Sequence, residues 1–214
     1  TKIMCIYIIS YNHFKKRMYK VAENEFKNLI IDINIYEDKI SNKNEDSDSK
    51  LKDSLSRCSK ISYLNEYSLT SGMNETTLPI IKAKLLKQKI LYLYALSIYN
   101  QEKTKKNNLI TIRDNKKNNN EDVKKRYEEA IKFFTECKNI SSLLGTDIIR
   151  EIFSLIMISK CYLELRNYKE SMININEALL LFLDLQKAFK DKAYFNPKVM
   201  LFAGNYIFQN IMII

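Results

Sequence analysis

Three glycines and two prolines are all that 214 residues contain, and this scarcity limits the fold more than any other feature. Sheets joined by tight turns draw on both residues, glycine for backbone with positive φ and proline for a pre-set turn. A chain that lacks them has few ways to reverse a strand. The composition therefore disfavours all-β and doubly wound architectures and points to packed helices. With 46% of its residues hydrophobic, the chain has the material for a sizeable core. No apolar run reaches the roughly 20 residues of a membrane span, since IMCIYIIS near the start and LLLFLDL at Leu179 to Leu185 are both short.

Hydrophobic periodicity predicts helix from Ile3 through KKRMYKVAENEFKNLIIDI, then over Leu78 to Gln101, Glu121 to Ser141, Asp147 to Leu165, Tyr168 to about Lys190, and Pro197 to the end. Pro79 and Pro197 stand in first turns, where a missing N–H is harmless, and Asp147 is placed to cap the helix it precedes. IMCIYIIS is rich in β-branched residues and would pass for a strand on propensity alone. Two stretches break the pattern. Ser41 to Lys60 is polar and Ser-rich, and Glu102 to Asp122 is rich in Lys and Asn. Neither offers enough apolar surface to offset the entropy of ordering it, so both read as insertions. Residues 61–77 fit no element.

The helices repeat. RYEEAIKFFTECKNI from Arg126, NYKESMININEALLL from Asn167 and MYKVAENEFKNLIID from Met18 align without a gap. Tyr127, Tyr168 and Tyr19 are each followed three residues later by Ala130, Ser171 and Ala22, then by Phe134, Ile175 and Phe26, then by Cys137, Ala178 and Leu29. These offsets place all four residues on one helical face. The helices ahead of them agree in register. Ile6, Ile9, Ser10 and His13 correspond to Leu91, Tyr94, Ala95 and Ile98, to Leu155, Ile158, Ser159 and Tyr162, and to Met200, Ala203, Gly204 and Ile207. The small residues Ser10, Ala95, Ser159 and Gly204 fall where the two helices of a hairpin must approach closely.

Aromatic and small residues at these spacings on paired helices resemble the tetratricopeptide repeat family. The resemblance covers about 150 residues, as three helix pairs and one further first helix. It implies an all-α, right-handed α-solenoid of antiparallel helix pairs. Repeat 1 spans about 3–36, an insertion 41–60, repeat 2 about 78–141 with an insertion at 102–122, repeat 3 about 147–190, and a partial repeat 4 the residues 197–214. The chain departs from the family pattern in lacking the common Trp, replaced by Ile6, Leu91, Leu155 and Met200, and the closing Pro. Its repeats are also long, with 41 residues from Tyr127 to Tyr168. In the second copy 36 residues separate Leu91 from Tyr127, against 13 between Leu155 and Tyr168, so the insertion there amounts to 23 residues.

In such a solenoid the first helices line a concave groove. Helical offset places Tyr7 and Tyr11, Tyr92, Leu96 and Tyr99, Ile156, Lys160 and Leu163, and Leu201, Asn205 and Phe208 on that side. The surface is aromatic and sparsely charged, which suits an apolar or amphipathic peptide or helix of a protein partner within a multi-subunit assembly. The same residue types also complete cores between repeats. The resemblance further implies that a carboxylate clamp of the chaperone-binding kind would need Lys and Asn where Tyr7, Tyr11, Tyr92 and Leu96 stand; Lys160 alone keeps a suitable cation.

Net charge is +10, and between Lys103 and Arg126 nine basic residues face three acidic ones. A flexible basic arm making salt-sensitive phosphate contacts is the alternative reading, a nucleic-acid-associated protein; Asn and Lys tracts also arise from compositional bias alone. Cys5, Cys58, Cys137 and Cys161 lie far apart and His13 is the one histidine. That leaves little for a zinc site and predicts free thiols in a reducing compartment, cytoplasm or nucleus. Three scattered glycines make no phosphate loop, and the one histidine, His13, is expected at a packing position of its helix and not as a base for a Ser or Cys nucleophile, so neither an enzyme nor a cofactor is expected. Membrane insertion is not expected either. The chain begins at Thr and closes on the apolar NYIFQNIMII, and is read as a fragment of a longer protein.

Overall fold

The structure, a computed structural model, describes residues 2–41, 78–110, 119–145 and 148–190. The described residues form six α-helices and no strand: α1 Lys2–Lys15, α2 Tyr19–Ser41, α3 Leu78–Ile110, α4 Asn119–Leu144, α5 Ile148–Glu164 and α6 Tyr168–Lys190. IMCIYIIS, strand-like by propensity, lies within α1, where packing against α2 overrides the local preference. None of the described helices is long and apolar enough to cross a membrane. Asp147, the expected cap, and residues 42–77 and 191–214 lie outside the described residues.

Each helix packs on the next, and side-chain contacts fix an antiparallel register throughout. Between α2 and α3, Glu23 meets Gln101 at one end and Glu37 meets Lys87 at the other, the latter at 3.1 Å. Between α3 and α4, Glu102 faces Arg126, Tyr92 lies edge-on to Phe134, and the Cys137 thiol donates to the Gln88 carbonyl at 3.4 Å. The Ser154 hydroxyl of α5 in turn donates to the Cys137 sulfur at 3.4 Å. Helix α3 also touches α1 and α5. The pairs Arg126–Glu23 and Lys138–Glu177 tie α2 to α4 and α4 to α6. Odd-numbered helices thus form one layer and even-numbered helices the other.

The core follows the repeated positions. Ala22, Phe26 and Leu29, Ala130, Phe134 and Cys137, and Ser171, Ile175 and Ala178 are all buried. So are the small residues of the first helices, Ser10, Ala95 and Ser159. A fully buried Phe contributes on the order of 2–3 kcal/mol by leaving water, and Phe26 and Phe134 anchor one cluster that runs from α2 to α5. A second cluster joins α5 to α6 through Ile152, Leu155, Ile156, Ile175, Ala178 and Leu185. Ile9 and Tyr168 are exposed among the repeated positions; among the described residues no helix precedes α1 to cover Ile9.

The turns repeat as well. After α1 the Arg17 amide donates to Phe14 and the Met18 amide to His13; after α5 the Arg166 amide donates to Leu163 and the Asn167 amide to Tyr162. Arg17 and Arg166 take φ of 61° and 59°, the left-handed conformation that closes a helix with this pair of bonds. Gly145 adopts the same φ, 61°, after α4, a position that needs no side chain.

The second pair departs from the expected boundaries. Residues 102–122 read as an insertion from end to end, yet α3 continues to Ile110 and α4 begins at Asn119. Aligned on repeats 1 and 3, α3 should stop near Asn100 and α4 should start at Tyr127. Most of the inserted chain instead lengthens the two helices of the hairpin. Once a helix is nucleated, each added residue needs only propagation, and Lys- and Gln-type residues are adequate helix formers.

Candidate functional site

The first-helix surface is built by α1, α3 and α5 acting together. On α1 the rings of Tyr7 and Tyr11 stack, 6.3 Å apart and 9° from parallel, and Lys15 lies 4.8 Å over Tyr11. Tyr7 also meets Phe26 of α2 at 6.5 Å, which fixes its depth. On α3, Tyr92 rests edge-on against Phe134 at 5.5 Å, and Leu96 packs on the same core. Both keep part of their surface in water, as do Lys160 and Leu163 on α5. Burial, opposed weakly by Cys161, holds the Lys160 ammonium below its usual range. A cation held in that state favours an anionic or hydrogen-bonding neighbour.

Two residues expected on this face are core instead. Tyr99 is 6% exposed and packs on Tyr127 at 6.0 Å; Ile156 is 0% exposed in the cluster joining α5 to α6. Helix α3 packs against α1, α2, α4 and α5, and the offset that placed Tyr99 on a groove wall places it on Tyr127 of α4. Ile156 is drawn into its own hairpin. Leu201, Asn205 and Phe208 lie outside the described residues. Sequence offsets also missed a member. The Arg150 guanidinium, at the start of α5, lies 5.3 Å over the Tyr92 ring and adds a cation to the aromatic surface. Its spacing of ten residues from Lys160 turns it about 80° away on a helix, so periodicity does not mark it.

A second constellation sits where the extended α3 and α4 leave the body. Arg126 grips both Glu23 oxygens, each at 2.7 Å, and also reaches Glu129 at 3.1 Å and Glu102 at 3.5 Å. Glu102 is 2% exposed and takes a further bond from Lys105 at 2.7 Å. Tyr94 donates to Glu129 at 2.8 Å, and Gln101 donates to Glu23. Burial alone would raise the Glu23 carboxyl, but the bonds from Arg126 and Gln101 hold it below its ordinary value. Burial likewise opposes the Arg126 charge, and Glu23, Glu129 and Glu102 outweigh it, so the guanidinium is held above its ordinary value. The Tyr94 hydroxyl is pushed up by burial and by Glu129. The paired charges tie α2, α3 and α4 together.

This cluster bears on the basic segment. Lys105, Lys106, Lys124 and Arg126 pair with Glu102, Glu164, Glu128 and Glu23. Lys103 lies 5.9 Å over Tyr99. Part of the basic run therefore belongs to the folded body. Among the described residues, Cys5, Cys137 and Cys161 are free thiols, and no group of three His, Cys, Asp or Glu is placed to hold a metal ion. Burial raises the Cys161 thiol well above its ordinary range. No family model, no curated protein and no solved structure matches the chain.

Proposed function

We propose that the chain is a non-catalytic protein-interaction module, a right-handed solenoid of the tetratricopeptide type, which holds a peptide or helix of a partner protein against its first helices within a multi-subunit assembly. The observation that carries this reading is the surface shared by α1, α3 and α5. It presents Tyr7, Tyr11, Tyr92 and Leu96 partly in water, each held in place by core contacts beneath it. Rigid aromatic side chains with a buried base and an open top are the usual anchors of an interface, because little side-chain entropy remains to be lost on binding. Arg150 and Lys160 set cations at the α5 end of the surface. An amphipathic helix with an acidic residue toward that end matches both the apolar and the charged part.

Selection from a displayed library of random 16-residue peptides, an arbitrary length of about four helical turns, tests the proposal. Apolar peptides with an acidic position should be enriched, and Leu96→Glu should weaken the selected peptides about tenfold or more, as expected for a charge placed in an apolar contact. Peptides that bind Leu96→Glu as well as the parent chain would refute it.

A further inference from the structure

Charge divides unequally between the two layers of helices. The odd-numbered helices carry eleven Lys and Arg against three acids, Glu102, Glu151 and Glu164, a net of +8. The even-numbered helices carry eleven against thirteen, a net of −2. All three acids of the odd layer are already engaged, Glu102 by Arg126 and Lys105, Glu164 by Lys106, and Glu151 by the Ser142 hydroxyl. The layer that presents the aromatic surface is therefore the cationic one.

One stripe of α3 shows how the cations are spaced. Lys82, Lys89, Leu96 and Lys103 recur every seven residues and so share a face, with cations on either side of Leu96. Lys82 and Lys103 are exposed. The aromatic residues repeat the arrangement: Lys15, at the C-terminal end of α1, lies over Tyr11, whereas Arg150, near the start of α5, lies over Tyr92. We propose that the segment held in the groove is an acidic amphipathic helix of a partner protein, with carboxylates on both sides of its apolar stripe. The stripe meets Tyr7, Tyr11, Tyr92 and Leu96, one acidic flank faces Lys15 and Lys103, and the other faces Lys82 and Arg150. Opposite potentials on the two surfaces speed their encounter, and like charge rejects a basic helix. Lys15 and Arg150 cover ring faces on which the bases of a single-stranded nucleic acid would stack, which favours a helix as the occupant. The inference rests on the groove reading and adds the chemistry of the partner to it.

Two fluorescein-labelled peptides of about 16 residues test it, sharing one helical Leu stripe and differing only in Glu or Gln on both flanks. Binding to the intact chain is read by anisotropy. The Glu peptide should bind about tenfold more tightly at about 50 mM salt, and its advantage should shrink toward about 500 mM. Lys82→Glu combined with Lys103→Glu should remove the advantage while leaving the affinity of the Gln peptide and the helical circular dichroism unchanged. Equal affinity of the two peptides would overturn the acidic assignment and leave the groove reading standing, whereas failure of both to bind would overturn both. A thymidine oligonucleotide of similar length that binds more tightly than the Glu peptide would also overturn it, assigning the cations to phosphates.

Discussion

The hydroxyls of Ser159 and Ser171 meet at 2.9 Å where α5 crosses α6, and the Ser171 hydroxyl also donates to the Ser159 carbonyl at 3.0 Å. Because the single Ser171 proton goes to that carbonyl, Ser159 donates to Ser171 in the hydroxyl pair. Ala95 and Ala130 stand at the same crossing of α3 and α4, and Ser10 and Ala22 at that of α1 and α2. The crossing therefore requires small side chains, and the hydrogen bond is secondary. Ser171→Ala should cost about 1 kcal/mol or less, and Ser171→Leu about 3 kcal/mol through overpacking. Urea unfolding of the two variants measures the difference.

Arg126 is the shared partner of Glu23, Glu102 and Glu129. Its removal leaves acids in low-dielectric surroundings without their counter-charge, which is worse than removing both partners. Arg126→Met should destabilise by about 2 kcal/mol, less than for a fully buried pair because the guanidinium remains partly in water. Adding Glu23→Gln should recover part of that loss. The double-mutant cycle is read from denaturant midpoints, and strict additivity would contradict the arrangement.

Glu23 also sets an acid dependence. Its carboxyl is held below the ordinary value of 4.5 in the folded chain, so the unfolded chain binds the proton more readily. The stabilisation is complete above the unfolded value and is lost as the pH falls below about 4.5 through the folded value. Between about pH 6 and about pH 3 the unsubstituted chain should lose more stability than Glu23→Gln. Parallel curves for the two chains would be inconsistent with the Arg126 clamp.

Arg17 and Arg166 hold the left-handed position that closes α1 and α5. A side chain there costs roughly 1 kcal/mol relative to glycine, partly offset by the greater freedom of glycine in the unfolded chain. Arg17→Gly and Arg166→Gly should each raise stability by about 0.5 kcal/mol, additively because the turns are distant in sequence and separately packed. A loss of stability in either variant would mean that the arginine side chain contributes contacts of its own.

Gln88 is buried on α3 with its amide nitrogen bonded to Ser141 and its side-chain oxygen without a partner among the described residues. The apolar counterparts at this position are Ile3 and Ile152. Gln88→Met combined with Ser141→Ala removes donor and acceptor together and should stabilise by about 1 kcal/mol, whereas Ser141→Ala alone should destabilise. Thermal unfolding of the three chains decides between these signs.

The sequence made the helices and their crossings readable because both depend on local spacing. Ser159, Ala130 and Phe134 occupy the buried positions that their offsets assign. The extension of α3 was not readable, since Glu102 to Ile110 has no apolar stripe and its anchor, Arg126, lies 24 residues further along. The spacing of Glu102 to Lys105, one helical turn, was the local sign of it. The face of Tyr99 was misplaced for a different reason. A helix flanked on several sides buries residues all round, and IIKAKLLKQKILYLYALSIY carries apolar residues on every face. Helical offset then gives a direction but not the neighbour found there.

Amide hydrogen exchange, with and without a library-selected peptide, tests the central claim most directly. The proposed groove predicts that added protection falls on α1, α3 and α5, around Tyr11, Leu96 and Lys160, with α2 and α6 unchanged. Protection confined to the even-numbered helices, or to the basic residues from Lys103 to Arg126, would contradict it.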